Sequence, residues 1–374
     1  MYLMSLSVAL VHDYLREYGG AERVLEALHA QFPEAPVYTA FIDRQALGKQ
    51  AARFAGWDIR ETLLTRLPFY KKLFSPYRIF AAWAFERLNL GKFDIIISST
   101  NMYMAKAVRK RADALHISYI HTPPRSLYGY TTKSDWRSQA LTRVGGELIN
   151  VWMRYWDAVT ARRPDILVAN SRTTQERIQK FYRRESVIIP PPVTLVDQHL
   201  LVLPSTERTY ALFVGRLAFS KHPQLAVEIC RQLRLPLKVV GTGAMMEQLQ
   251  ALAEPVGSTI EFLGSVNDQQ LAQLYQQARV VLYPAEEEDF GIVPIEAMAT
   301  GTPVIAHFSG EPRYTVQDGK NGLHVHSWDP VDWQAALTKA WKQTWDYQRI
   351  QQSVQKYATQ NFQSAMAKLI YQKK

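Results

Sequence analysis

Short apolar runs alternating with amphipathic helical segments constrain this chain more than any other feature. Tyr210–Val214 is such a run, ending at Gly215, and a helical pattern follows from Pro223. Leu237–Val240 is the next, closed by Gly241-Thr242-Gly243 before a predicted helix over Met245–Ala253. Ile260–Leu263, a helix around Gln269–Gln277, Val280–Tyr283, Val304–Ala306 and Gly322–Val325 complete the series. Such runs are strand length, and their alternation with helices predicts βα units around a parallel sheet. The first half repeats the grammar less cleanly. Strands are predicted over Ser5–His12, Val37–Phe41, Asp94–Ser98, His116–Ile120 and Asp165–Ala169, and helices over Ala21–Phe32 and Arg137–Arg162.

Successive prolines lack backbone donors and fix φ, so the segment Ile188–Pro192 is expected to break regular structure and to carry an interdomain linker. The tail from Val331 reads as helical, with Trp333, Ala336, Leu337, Ala340 and Trp341 on one stripe. The expected architecture is α/β: two Rossmann-like domains, residues 1–190 and 191–357, facing across a cleft. A last helix within 358–374 is expected to return to the first domain.

A chain of 374 residues, 47% of them hydrophobic, can bury the cores of two domains. No run approaches the ~20 apolar residues that a membrane-spanning helix needs. Met1–Val11 lacks the pattern of a signal peptide. Cys230 is the single cysteine, which excludes a disulfide framework or a thiolate metal cluster and reads as a buried helix residue; a cytoplasmic location is expected. The net charge of +10 is uneven: residues 1–190 carry 28 Lys/Arg against 17 Asp/Glu, and residues 191–374 carry 16 against 17. The first half is therefore expected to meet something anionic, or to present a solvated basic surface.

Open α/β sheets bind ligands at the carboxyl ends of their strands, and the candidate residues fall there. Gly215-Arg216 and Lys221 follow one strand. Gly215 permits close approach, Arg216 can fork onto phosphate oxygens and Lys221 adds a point charge. Gly241-Thr242-Gly243 is a shortened glycine turn without the full dinucleotide fingerprint, read as shaping a strand exit. Glu288 and Glu296, eight residues apart, flank a loop containing Gly291 and a short helix whose first N–H groups suit anions and hydroxyl oxygens. Gly19-Gly20 reads as a flexible loop or a tight turn. His121, held by the Pro123-Pro124 segment after a strand, is a candidate transition-state contact or a structural histidine. Ser171 reads as a helix N-cap.

Taken in order, Gly-Arg216-x4-Lys221, Gly-x-Gly243, Glu288-x7-Glu296 and the Gly-Thr-Pro303 turn resemble the retaining family 4 glycosyltransferases of GT-B fold. The resemblance is strong over 205–325 and extends to Gly-Gly-Ala-Glu-Arg23 and Ile120-His-Thr-Pro-Pro124. The wording Glu-Glu-Asp-Phe-Gly-Ile-Val-Pro is similar to mannosyltransferase-like members of surface polysaccharide assembly. The resemblance implies that Arg216 and Lys221 bind the donor diphosphate, Glu296 the ribose and Glu288 the transferred sugar. It implies backbone N–H contacts from Phe290, Gly291 and Ile292, a His121 near the reacting sugar, and close approach at Gly20. Where relatives often have Gly-Gly followed by a Glu three residues on, this chain has Ser309-Gly310 and then Arg313-Tyr314. The implied donor is a nucleotide sugar, GDP-mannose first and a UDP-sugar second, used without cofactor or metal; no Asp-x-Asp pair is present.

Arg60, Arg66, Lys71, Lys72 and Arg78 interleave with Phe69, Tyr70, Phe74, Tyr77 and Phe80. Such a stretch is expected to dock on an anionic membrane surface near a lipid-linked or saccharide acceptor, or else to form a partly buried helix pair. A nucleic-acid-binding protein is the chief rival class. It lacks a recognised signature, and no nucleic acid is expected. A nicotinamide oxidoreductase lacks its glycine fingerprint, and a catalytically silent donor-binding subunit shares every motif above.

Overall fold

Strands buried on both faces need continuous apolar runs, whereas half-exposed strands alternate. The computed structural model, which describes residues 6–102, 104–130, 140–254 and 259–373, follows that rule in two separate sheets. The chain divides into two compact units, residues 1–192 with 360–374, and residues 193–359.

The first unit holds β1 (Val8–His12), β2 (Val37–Thr39), β3 (Ile59–Glu61), β4 (Ile95–Thr100), β5 (Leu115–Ile120), β6 (Ile166–Ala169) and β7 (Val187–Ile188). These form one sheet in the order β3-β2-β1-β4-β5-β6-β7, every pair parallel. Side chains alternate across it with period two. Val8, Leu10, Ile95, Ile97, Ile117 and Tyr119 face one core, with Val24, Leu25 and Leu28 of the helix Gly20–Gln31. Ala9, Val11 and Ile96 face another, with Ala81, Phe85 and Met153. The helix Thr359–Tyr371 sends Phe362, Met366, Leu369 and Ile370 into the first of these cores, with Phe362 edge-on to Tyr119 at 5.9 Å.

The second unit holds β8 (Tyr210–Val214), β9 (Leu237–Val240), β10 (Ile260–Gly264), β11 (Ala278–Tyr283), β12 (Val304–His307) and β13 (Gly322–Val325). Its sheet is also parallel, in the order β10-β9-β8-β11-β12-β13. Cys230 is free and buried in the helix Pro223–Leu233, and Trp333 and Leu337 of Pro330–Lys342 are fully buried.

The proline segment departs from expectation. Val187–Ile188 is a strand paired with Val168–Ala169, and Ile189 still donates to Ala169. Only Pro190, Pro191 and Pro192 lack donors, so the break begins at Pro190. The edge strand β3 and the short helices between 44 and 86 lie where the apolar pattern was too irregular to assign. The long helix spans Ala140–Thr160; residues 137–139, like Ser5 of the first predicted strand, lie outside the described residues. No helix among the described residues is long and apolar enough to cross a membrane.

Candidate functional site

A parallel sheet offers a crevice where consecutive connections leave toward opposite faces, just beyond the carboxyl ends of the two strands concerned. In the second unit the chain runs outward from β8 to β10 and returns on the other side of β8 as β11, so the reversal lies between β8 and β11. The loop leaving β8 carries Gly215, Arg216 and Lys221. The loop leaving β11 carries Glu286–Glu288. Across the reversal, Lys221 Nζ lies 2.7 Å from Glu288 Oε1. Tyr283, the last residue of β11, donates its hydroxyl to Glu288 Oε2 at 2.6 Å, and its ring centre is 5.6 Å from Lys221 Nζ. The two charged side chains are 17% and 20% exposed, so each neutralises the other while remaining in reach of a ligand. Arg216 is exposed, and its side chain makes no hydrogen bond or ion pair among the described residues, its carbonyl alone accepting from Ala218 N–H at 2.9 Å. The structure thus brings together Lys221 and Glu288, with Arg216 on the same loop as Lys221.

The glycines of this region answer to backbone contact. The loops leaving β8 and β9 run against each other: Leu217 N–H donates to the Thr242 carbonyl at 3.0 Å and Met245 N–H to the Leu217 carbonyl at 3.2 Å. A Cβ at Gly243 would stand 2.3 Å from the Leu217 oxygen, and one at Gly241 1.9 Å from the Gly215 oxygen. The strand-exit reading of Gly241-Thr242-Gly243 therefore has a concrete form: the turn buttresses the loop that holds Arg216 and Lys221.

Gly291 takes a φ of 78° and starts the helix Ile292–Ala299. Glu288 stands on the loop before that helix. Glu296 lies on its second turn rather than at its mouth. It is only 6% exposed and accepts the Tyr275 hydroxyl at 3.0 Å. The first N–H groups of this helix, Ile292 among them, have no carbonyl one turn earlier inside it. The Phe290 ring is buried edge-on to Tyr357 at 5.6 Å, so its side chain anchors the loop. The Ser309-Gly310 pair also has a local role. Ser309 Oγ accepts the Glu287 N–H at 3.1 Å, Glu311 N–H donates to the Glu288 carbonyl at 2.8 Å, and a Cβ at Gly310 would stand 2.3 Å from that carbonyl. Sequence reasoning missed Tyr283 and Tyr275, since a lone aromatic carries no spacing signal, and it singled out Ser309 only as a departure from the family pattern.

In the first unit the reversal lies between β1 and β4. His12 ends β1, and Asp13 accepts from Thr100 Oγ1 at 2.9 Å and from the N–H groups of Asn101 at 2.7 Å, Met102 at 2.5 Å and Ala105 at 2.9 Å. His121 follows β5. Its Nε2 is 2.8 Å from Ser99 Oγ, and Ser99 Oγ is 3.1 Å from His12 Nδ1. Burial lowers the His121 pKa to about 3, with His12 acting in the same direction and Asp13 opposing. The ring is therefore neutral near pH 7. Gly20 is not a loop residue, which corrects that expectation. Gly19 is the N-cap and Gly20 the first residue of Gly20–Gln31, because Glu22 Oε2 accepts the Gly19 N–H at 2.8 Å and closes the first turn. Ser171 caps Arg172–Tyr182 by accepting from Thr174 N–H at 3.0 Å.

The basic–aromatic stretch divides. Tyr70 and Phe74 pack on Phe41, and Arg60 is engaged by Asp58 and the Tyr38 hydroxyl. Phe69 (73% exposed), Leu73, Ile79, Phe80 and Trp83 are exposed, as are Arg66, Lys71 and Lys72. Arg87 lies 4.5 Å over the Trp83 ring.

Two family models match the chain: Glycosyltransferase Family 4 over residues 18–196 and Glycosyl transferases group 1 over residues 202–360. A D-inositol 3-phosphate glycosyltransferase of Geodermatophilus obscurus is 33% identical over 202 residues, covering 46% of this chain and 44% of that protein. An uncharacterized glycosyltransferase of Methanocaldococcus jannaschii is 36% identical over 125 residues, 32% of each chain. This chain thus spans less than half the length of these curated relatives. Among solved structures, the lipopolysaccharide outer core galactosyltransferase WaaB superposes with a TM-score of 0.67 at 16% identity, covering 99% of this chain and 100% of that one. Anabaena HepE, solved in complex with UDP-glucose, superposes with a TM-score of 0.66 at 16% identity, covering 98% and 99%. With both halves matched and two Rossmann-like sheets in place, the chain belongs to the family 4 glycosyltransferases of GT-B fold.

Proposed function

We propose that the chain transfers a hexosyl group, mannosyl first, from a nucleoside-diphosphate sugar to a lipid-linked or saccharide acceptor. The transfer retains anomeric configuration and uses no divalent ion. The reading is carried by the Lys221–Glu288 pair at the strand reversal, 2.7 Å apart, with exposed Arg216 on the same loop. Cleaving a sugar–phosphate bond places negative charge on the departing diphosphate and positive charge on the sugar ring. Arg216 and Lys221 meet the first, and fixed cations act without reorganising. Glu288, held by Tyr283, receives sugar hydroxyls. Glu296, held by Tyr275, receives the ribose, and the Phe290–Ile292 backbone offers N–H groups. His121 contributes a neutral imidazole.

The donor is GDP-mannose on the strength of motif wording alone, and UDP-glucose stands next because HepE was solved with it. The exposed Phe69, Leu73, Phe80 and Trp83 among Arg66, Lys71 and Lys72 suit the anionic inner face of a cell membrane and support the reading of a peripheral cytoplasmic enzyme that meets a lipid-linked acceptor.

A panel of nucleotide sugars in thermal-shift and hydrolysis assays tests the reading. One donor is expected to raise the melting temperature and to be turned over in excess EDTA, giving a product with the donor's anomeric configuration by proton NMR. Loss of turnover with chelator, or an inverted product, removes the metal-free retaining assignment. Absence of any turnover favours a silent donor-binding subunit. Flotation with phosphatidylserine vesicles at low salt tests the membrane arm, which fails if the protein stays at the bottom of the gradient.

A further inference from the structure

A chain of buried polar contacts under the first sheet's reversal, three of them hydrogen bonds and one an ion-pair distance, ends at His121. Gly19 N–H donates to Glu22 Oε2 at 2.8 Å, and Glu22 Oε1 faces His12 Nε2 at 3.5 Å. His12 Nδ1 faces Ser99 Oγ at 3.1 Å, and Ser99 Oγ faces His121 Nε2 at 2.8 Å. Glu22, His12, Ser99 and His121 are all under 9% exposed, so water does not substitute for a missing partner. The Thr174 hydroxyl holds the His121 carbonyl at 3.1 Å, and the Tyr119 ring lies 5.2 Å from the imidazole, fixing the ring's place.

Proton counting then sets the tautomers. A serine hydroxyl owns one proton, and each neutral imidazole owns one. The Glu22 carboxylate only accepts, so His12 carries its proton on Nε2. His12 Nδ1 is then bare and takes the Ser99 proton. The Ser99 oxygen, having given its proton away, accepts from His121 Nε2–H. We propose that Glu22, His12 and Ser99 form a positioning relay that fixes His121 as the Nε2–H tautomer, leaving Nδ1 as a hydrogen-bond acceptor for a substrate hydroxyl. The substrate clause rests on the reading that His121 serves the transfer; the tautomer assignment does not. Sequence spacing does not reveal the relay, since its members come from β1, the Gly20–Gln31 helix, β4 and the loop after β5.

One isosteric change reverses every link. In Glu22→Gln the Gly19 N–H still demands an oxygen, so the amide NH2 must face His12 Nε2. His12 then becomes an Nδ1–H donor to Ser99, Ser99 donates to His121 Nε2, and the His121 proton moves to Nδ1. The experiment is 15N NMR of the full chain labelled in histidine at pH 7.5, for the wild type, Glu22→Gln, Ser99→Ala and Ser99→Thr. The wild type is expected to show the proton of both His12 and His121 on Nε2. Glu22→Gln is expected to show both as Nδ1–H. Ser99→Ala is expected to leave His121 without a fixed tautomer, and Ser99→Thr, which keeps the hydroxyl, to restore it.

In the transfer assay, Glu22→Gln and Ser99→Ala are expected to lower kcat about tenfold with little change in donor KM, the worth of roughly one misdirected hydrogen bond. Ser99→Thr is expected to recover most of that loss. A wild-type His121 with its proton on Nδ1, an imidazolium His12, or a His121 spectrum unmoved by Glu22→Gln would each overturn the relay. If the spectra behave as stated while kcat is unchanged in all variants, the relay holds and His121's part in the transfer falls.

Discussion

Gly243→Ala separates two accounts of the glycine turn after β9. A Cβ at this position would sit 2.3 Å from the Leu217 oxygen, 2.7 Å from its carbonyl carbon and 2.8 Å from its nitrogen. An ordinary close C···O contact is about 3.3 Å, so one backbone must retreat by roughly 1 Å. All three obstructing atoms are main chain, and no rotamer relieves the overlap. The retreat strains the hydrogen bonds Leu217 N–H to Thr242 and Met245 N–H to Leu217, at 3.0 and 3.2 Å. Overpacking of this kind costs about 1–3 kcal/mol, and weakening two hydrogen bonds adds about 1 kcal/mol. For a unit of this size that is a loss of roughly 5–10 °C in the melting temperature. The loop that moves carries Arg216 and Lys221, so donor affinity should fall in the same variant. Differential scanning calorimetry without ligand, followed by nucleotide titration, reads both effects. If ligand-free Gly243→Ala melts within about 1 °C of the wild type while losing nucleotide affinity, the buttress account is wrong and the glycine acts by admitting the ligand.

Glu288→Gln keeps the Tyr283 hydrogen bond but removes the ion pair with Lys221; it should cost about 1 kcal/mol of stability, since both side chains are partly exposed, and lower kcat by roughly a hundredfold in the transfer assay. Burial lowers the pKa of His116, like that of His121, to about 3, so between roughly pH 6.5 and 3 the unfolded chain binds protons that the folded chain refuses. Stability contributed by these neutral rings is present above about pH 6.5 and is lost as pH falls; His116→Gln should reduce the slope of stability against pH by about 1.4 kcal/mol per unit near pH 5, measured by urea unfolding at pH 5 and 6. Phe362→Ala removes a nearly buried ring from its place against Tyr119 and should cost about 3–5 kcal/mol of first-unit stability by denaturant unfolding, whereas a loss under 1 kcal/mol would mean that the last helix contributes little to that core.

The second unit was legible because its inner strands are buried on both faces, and continuous apolar runs such as Tyr210–Val214 stand out against amphipathic helices. The first unit hid its edge: Ile59–Glu61 is a three-residue strand, only partly buried and containing two charges, so it has no apolar run to find. In the site, Arg216, Lys221 and Glu288 were visible because they are charged residues that closely follow apolar strand runs. Tyr283 and Tyr275 read as ordinary strand and helix aromatics, and only the fold brings their hydroxyls to Glu288 and Glu296. The Pro190–Pro192 break was placed two residues early because proline acts on its own donor, not on that of the residue before the preceding one.

Isothermal titration of GDP and UDP into the wild type, Arg216→Met and Lys221→Met tests the central claim, that the loops leaving β8 and β11 grip a nucleoside diphosphate. Saturable binding of at least one nucleotide to the wild type, weakened about tenfold or more by each substitution, is the predicted result. Binding that survives both substitutions unchanged, or no binding of either nucleotide to the wild type, would contradict it.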